Sequence, residues 1–382
     1  MPSIGDVERS AWASLFGSAS EGFDYYLACE KSPPPVFELK AMGVFDGDRL
    51  VAGAPAFGAQ FRLDMMLEGR LRRLTDWVGA RAPGLGRLRV LGLGSPHADE
   101  LALVFAAGLD EADRRVALDC LLDSLERHAA SASIDVAFLK NVREVDRLWA
   151  DEVLQRRGYV GVATLPIATL AIPDSEASYI ASLSANMRSN LRRKLKRASG
   201  VRAEARTSIE GLDDEIFRLR ESTRRRATTD YDAFSQISPA YFREVLDRLG
   251  DKARLLLYWR DGSLIGFAFV LLEPGRLIEK YNGMRYPEGP DNGVFFLNWM
   301  TQVRLCIELG IPELHAGETT YLTKARLGCK LHRSWIYYRH RRQVVTRLLA
   351  LLSSRVAFDS ADPDLRKLGA QAPYVNPLAR QH

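Results

Sequence analysis

Apolar residues along this chain alternate between helical and strand spacings, and the alternation marks out its elements. Residues 9–31 set Trp12, Leu15, Phe16, Phe23, Tyr26 and Leu27 on one side of a helix, which Pro33, Pro34 and Pro35 end. In MGVFDGDRLVAGAPAF two apolar runs flank Asp46-Gly47-Asp48, a hairpin signal. A second pair of strands is expected at Phe57–Leu63 and Leu88–Leu93. Residues 111–130 predict an amphipathic helix with Val116, Leu118, Leu121, Leu122 and Leu125 inward. A buried strand IDVAFLKNV follows, then a helix over Asp146–Arg157 stopped by Gly158. RRGYVGVATLPIATLAI then gives one or two strands.

The second half repeats that order. Residues 174–200 predict one long helix or two short ones, opened by Asp174 and Ser175 and closed at Gly200. Helices are expected at 209–226 and 239–250, then a meander, ARLLLYWRDGSLIGFAFVLLEPGRLIEKYNGMRY, turning at Asp261-Gly262 and Pro274-Gly275. The helix NGVFFLNWMTQVRLCIELG ends at Gly310. A strand in IPELHAGE, a short helix or loop in TTYLTKARLG and a strand in SWIYYRHR complete the set. The polar tail from Ala357 is expected to be loosely attached. DGDRLVAGAPAF and DGSLIGFAFVLL share a hairpin core, so a duplicated unit is the economical reading, with two unrelated α+β domains as the alternative. The expected division is 1–172, 173–346 opened by a basic helix, and a tail at 347–382.

Composition adds exclusions. The chain has 382 residues, 47% hydrophobic and 26% charged, values that exclude a disordered or collagen-like chain. No apolar run reaches the length of a transmembrane helix, and MPSIGDVERSAWASLF lacks the pattern of a secretory signal. Cys29, Cys120, Cys306 and Cys329 are widely spaced and form no CxxC pair, which reads as reduced thiols in a cytoplasmic protein.

The net charge of +5 conceals an asymmetry. Residues 1–170 carry 19 Lys/Arg and 24 Asp/Glu, whereas residues 171–382 carry 34 and 24, a net of +10. Three clusters hold that surplus. In Asn186–Arg197, Arg188, Arg192 and Lys196 form one stripe, joined by Arg193, Lys194 and Arg197, opposite an apolar stripe of Leu183, Met187, Leu191 and Leu195. Arg218, Arg220, Arg224, Arg225 and Arg226 form a second cluster. Lys324–Arg347 holds eight Lys/Arg and no acid. Such clusters suit a polyanion: tRNA, the phosphopantetheine arm of CoA, an acyl carrier protein or an anionic lipid surface. No interleaved aromatics support base stacking. The bland alternative is a solvated basic face.

Three segments carry a family resemblance: Ser178–Ala198 (SYIASLSANMRSNLRRKLKRA), Asp261–Tyr286 (DGSLIGFAFVLLEPGRLIEKYNGMRY) and His315–Leu331 (HAGETTYLTKARLGCKL). With the order of elements, they resemble tandem GNAT acyltransferases of the Fem-type aminoacyl transferase and cellulose-biosynthesis-type groups. The resemblance spans roughly Asp46–Arg341 and is strongest from Ser178 onward. It implies an α+β (mixed α/β) fold: two tandem GNAT-like units, each a mostly antiparallel central sheet flanked by helices. It also implies N-acyl transfer by direct attack of an amine on an activated donor, either an acyl thioester such as acyl-CoA or an aminoacyl-tRNA, with no permanently bound cofactor. The acceptor would be an amine-bearing small molecule or an envelope or natural-product precursor. One segment departs from the GNAT pattern. Where a Gly-rich loop would hold the CoA pyrophosphate, the chain has Tyr286-Pro287-Glu288-Gly289-Pro290-Asp291-Asn292-Gly293, two acids and a proline without an amide donor. Gly92, Gly94 and Ser95 before Pro96-His97 are no better a match.

Acyl transfer to an amine needs a proton acceptor, donors for the oxyanion, and alignment of both substrates. The strand end at 313–318 offers His315 or Glu318 as general base, on opposite faces of an extended strand. Tyr321 and Lys324 share a face if helical. The resemblance marks Lys324 as functional, as an oxyanion or anion partner. Asn282 is a candidate amide donor, with Tyr281 and Arg285 beside it as substrate-binding residues. Arg188, Arg192, Arg193, Lys196, Arg224 and Arg225 are the candidate donor-binding residues. For His315 the alternative is a packed strand histidine, for Glu318 a helix cap, and for Lys324 a solvated lysine. Cys329 reads as a packed thiol rather than a nucleophile. No HExxH, zinc-ligand spacing, Walker loop or GxSxG occurs, so no metal site is expected. A non-catalytic basic module docking on nucleic acid or an anionic polymer is the competing class.

Overall fold

The computed structural model describes residues 2–62, 87–226, 234, 236–353 and 362–377. In chain order its elements are α1 (Arg9–Phe16), α2 (Phe23–Lys31), β1 (Phe37–Asp46), β2 (Arg49–Arg62), β3 (Arg87–Leu93), β4 (Val104–Phe105), α3 (Glu111–Ser131), β5 (Val136–Arg143), α4 (Glu144–Arg156) and β6 (Val160–Ala171). Next come α5 (Glu176–Ser182), α6 (Ala185–Arg197), β7 (Arg202–Arg206), α7 (Asp213–Arg224), α8 (Tyr241–Leu249), β8 (Ala253–Arg260), β9 (Ser263–Leu272) and β10 (Leu277–Met284). The rest are α9 (Glu288–Asp291), α10 (Val294–Leu309), β11 (Glu313–Gly317), α11 (Tyr321–Arg326), β12 (Lys330–His340), α12 (Gln343–Ser353) and α13 (Pro363–Leu368).

The chain divides into two compact units that are not sequential halves. One contains residues 1–17, 33–164 and 334–357, the other 18–32, 165–333 and 358–382. The fold is mixed α/β with mostly antiparallel sheet. In the first unit the strand order is β1-β2-β3-β5-β12, with residues 334–340 of β12 antiparallel to β5 and β3 parallel to it. In the second unit the order is β6-β11-β10-β9-β8-β7. Its β6 lies antiparallel to β11, and only β10 and β11 run parallel. Each sheet therefore takes its last strand from the other repeat in sequence, β12 in the first unit and β6 in the second. A boundary drawn at residue 172 cannot express that exchange.

Four local expectations change. Residues 9–31 form two helices. The chain turns at Gly17 in the left-handed region (φ 55°) and restarts at Phe23, so Trp12 and Phe23 serve different units. Phe57–Leu63 is no separate strand: its described residues continue β2, which pairs with β1 and then β3. Val116 is exposed, and Ala117 takes the inward position with Leu118, Leu121, Leu122 and Leu125. The described part of the tail, residues 362–377, docks: Leu365 is buried, Leu331 bridges Tyr374, and the Arg333 guanidinium lies 4.2 Å above the Tyr374 ring.

Capping chemistry explains why residues 174–200 fold as two helices. Ser175 accepts from the Ser178 amide at the start of α5, and Ser184 accepts from the Met187 amide at the start of α6, with Leu183 extended between them. Met187 and Leu191 of α6 and Leu183 just before it are buried inside a core shared with Trp299, Val303 and Leu314. Gly293, at the cap of α10, is left-handed (φ 67°), and a Cβ there would stand 2.6 Å from the Lys194 carbonyl oxygen. Only glycine lets the end of the basic helix come this close to the start of α10.

Candidate functional site

The site lies within the second unit, where two strands part. β10 and β11 share two register pairs, Leu277 with Leu314 and Ile278 with His315. Beyond them β10 continues through Met284 against β9, while β11 ends at Gly317, leaving an opening between the strand ends. A bulge sits at this point. Glu279 faces Val270 and Tyr281 faces Phe269, so Lys280 is the extra residue. In a regular strand Glu279 and Asn282, three apart, would occupy opposite faces; the bulge puts them on one. Asn282 donates to Glu279 Oε1 at 3.3 Å, and Asn298 of α10 donates to the same oxygen at 2.8 Å. Asn298 Oδ1 in turn accepts from the buried Tyr258 hydroxyl at 2.8 Å. This chain of polar groups fixes one carboxylate at the mouth of the opening.

Lys280 and Tyr281 face the other way. Lys280 makes a 2.7 Å ion pair with Glu21, the side chains only 2% and 10% exposed. Tyr25 and Tyr241 join hydroxyls at 2.9 Å. A buried ammonium must have a partner, and this one draws residues 18–32 into the second unit. The Tyr281 ring stands edge-on to Tyr241, with Arg220 5.2 Å above it. Tyr281 is thus separated from Asn282 by the sheet. Arg285 pairs with Glu215 at 2.6 Å.

At the end of β11, Lys324 is buried. Its Nζ donates to the carbonyls of Ala316 (2.6 Å), Gly317 (3.4 Å) and Glu318 (2.9 Å). These carbonyls draw on the three hydrogens that an ammonium offers. The turn they hold is unusual, with Thr319 and Thr320 both left-handed at φ 71° and 55°. Tyr321 is buried and donates to the Pro166 carbonyl at 2.8 Å. His315, also buried, shares a face with its partners Ile278 and Thr169, opposite to that of Glu279. Glu318 follows the strand end, its carbonyl turned to Lys324. Of the residues named from sequence, the structure places Asn282 beside Glu279, while Lys324 and Tyr321 hold backbone. Glu279 itself went unnamed.

Burial pushes the Cys329 thiol up to about 12; the charge of Lys324 pulls it down and that of Glu279 raises it. It stays protonated at any working pH, as a packed thiol. Cys29 and Cys306 are buried as well, and Cys120 is exposed. Native protein at pH 8 is expected to give one fast equivalent with a disulfide titrant and four after denaturation; fast reaction of Cys329 would contradict this packing.

The expected donor-binding cations divide. Arg188 donates to the carbonyls of Ala181 and Leu183, and Arg224 forms a fork with Glu221. Arg192, Arg193, Lys196 and Arg225 are exposed. At the loop before α10, Gly289, Asp291, Asn292 and Gly293 all donate their amides to carbonyls within the loop, and Pro290 has none to give. Those four amides are thus engaged locally.

The antiparallel meander β8–β10, then α10, the strand β11 and the late helix α11 follow one another in the order of the GNAT acyltransferase fold. Residues 185–321 match the family model of the acetyltransferase (GNAT) domain. The whole chain has the tandem form of that fold, as the solved structures it resembles make plain. FemX aligns over 90% of this chain and 97% of its own, at 13% identity and a TM-score of 0.58. The C-terminal domain of a putative lysylphosphatidylglycerol synthetase from Agrobacterium fabrum aligns over 92% and 96%, at 13% identity and 0.54. A tandem GNAT protein from the clavulanic acid biosynthesis pathway aligns over 88% and 96%, at 13% identity and 0.50. No match is found among curated proteins. Among the described residues no helix is long and apolar enough to cross a membrane.

Proposed function

We infer that the protein is an N-acyltransferase in which an amine enters the opening between β10 and β11 and attacks the carbonyl carbon of an activated acyl donor. Glu279 takes one proton from the entering ammonium and releases it to solvent, a C–N bond forms as the donor's C–O or C–S bond breaks, and the second proton shed by the attacking nitrogen ends on the leaving oxygen or sulfur. The observation that carries this reading is the carboxylate held at the strand opening by Asn298 and Asn282. Both amides bind Oε1, and a carboxylate has a second oxygen for the amine. In this reading the second hydrogen of the Asn282 amide steadies the developing oxyanion.

Two features favour an aminoacyl-tRNA over acyl-CoA as donor. The loop before α10 has turned its amides inward, and the exposed cations of α6 and α7 suit an extended phosphate backbone. A donor assay decides. Purified protein, given labelled aminoacyl-tRNAs or acyl-CoAs together with small amines, is expected to deacylate the tRNA in an RNase-sensitive, salt-sensitive way. Turnover of acyl-CoA unaffected by RNase would overturn the tRNA assignment and leave acyl transfer standing. Salt-steep tRNA binding with no transfer from either donor would favour the non-catalytic basic module.

A further inference from the structure

The helix α12, Gln343–Ser353, has no role in the acyl-transfer site. It is fixed to the first unit at one side. Thr346 is 2% exposed and its hydroxyl accepts from the His340 amide at 2.9 Å, while Gln343 packs against Gly158. At 100° per residue, Val344 and Leu348 fall on the side away from Thr346. They are 77% and 56% exposed, and Leu351 continues the stripe at the next turn. Arg347 lies at the edge of this stripe and Arg342 just before it, both exposed. From Thr319 to Phe358 the sequence has nine Lys/Arg and no Asp/Glu. Arg339 and Arg341 are paired with Glu126 and Asp135 of the same unit, which leaves the cations nearest the stripe facing outward.

We propose that α12 docks on an anionic lipid surface, with Val344, Leu348 and Leu351 entering the acyl boundary and Arg342 and Arg347 at the headgroup phosphates. An exposed apolar stripe edged by arginine on a short helix is the pattern of an interfacial helix. A nucleic acid would use the arginines but not the leucines. A second copy of the chain would use the leucines but set Arg347 against its own image, and so small a stripe falls short of the area a stable dimer needs. Lipid phosphate over acyl chain satisfies both halves of the surface at once.

The test uses the full chain and vesicle sedimentation, and reads binding independently of acyl transfer. Binding is expected to vesicles containing phosphatidylglycerol and not to pure phosphatidylcholine. The Val344→Ser/Leu348→Ser protein should bind roughly tenfold more weakly or worse, and Arg342→Gln/Arg347→Gln should weaken binding and flatten its salt dependence. These positions are exposed, so both proteins should keep the parent melting temperature and the parent rate on a soluble amine. An environment-sensitive dye at Leu348→Cys, in a Cys120→Ser background, should shift to the blue on phosphatidylglycerol vesicles. Undiminished vesicle binding by the serine variant would overturn the proposal by assigning attachment to another basic face. So would equal binding to both lipids, or a dimer in solution that the serine variant dissolves.

Discussion

Glu279→Gln is expected to leave a folded protein whose acyl transfer falls by about 100-fold or more, the usual loss when a positioned base is removed. Glutamine keeps an oxygen for Asn298 and Asn282, so the polar chain from Tyr258 to β10 should survive and the melting temperature should hold. What it loses is the capacity to accept a proton. The loss should appear in kcat with little change in the affinity for the donor, since the proposed reading puts the donor's phosphates at the exposed cations of α6 and Arg225 rather than at this carboxylate. Glu279→Ala, which opens space at the same point, should regain part of its rate on addition of formate, a rescue that a purely structural glutamate would not show. A Glu279→Gln protein turning over within a few-fold of the parent would remove Glu279 from the mechanism and return the question to Glu318.

Why the sequence pointed at neighbours of Glu279 rather than at Glu279 follows from how strands are read. Period-2 alternation through LIEKYNGM puts Leu277 and Glu279 on one face and Asn282 on the other, and nothing in that octet announces a bulge. One extra residue at Lys280 reverses the assignment and brings Glu279 and Asn282 together. The retrievable signal was an acid at an inward position of an otherwise apolar meander, a placement that costs free energy unless it serves something. In α6 the opposite holds: a helix tolerates no register change, so Met187, Leu191 and Leu195 share a face, which the extended Leu183 joins from outside the helix. The exchange of β6 and β12 between units was hidden because strand pairing is a long-range choice. The local pattern of each strand is the same whichever sheet receives it.

Lys324, which the resemblance marks as an oxyanion or anion partner, lies against backbone carbonyls, and its replacement has a large expected effect of another kind. Lys324→Met is expected to lower stability by about 3 kcal/mol or more, seen as an earlier first transition in urea. Methionine fills the space and removes the cost of burying a charge, but it leaves the carbonyls of Ala316, Gly317 and Glu318 without their donor. Each buried acceptor so orphaned costs about 1–3 kcal/mol. The turn tied by this ammonium at Ala316, Gly317 and Glu318 runs into Thr319 and Thr320, both in left-handed conformations that β-branched residues avoid, at roughly 1–3 kcal/mol each. Thr319→Gly, which removes that conformational penalty, should recover part of the lost stability in the Lys324→Met background. A lysine acting on the oxyanion instead would give the reverse pattern: parental urea stability, no recovery from Thr319→Gly, and abolished turnover. Measured together, the urea transition and the rate separate a residue that touches substrate from one that builds the strand end beside it. The carbonyl contacts at Nζ favour the second.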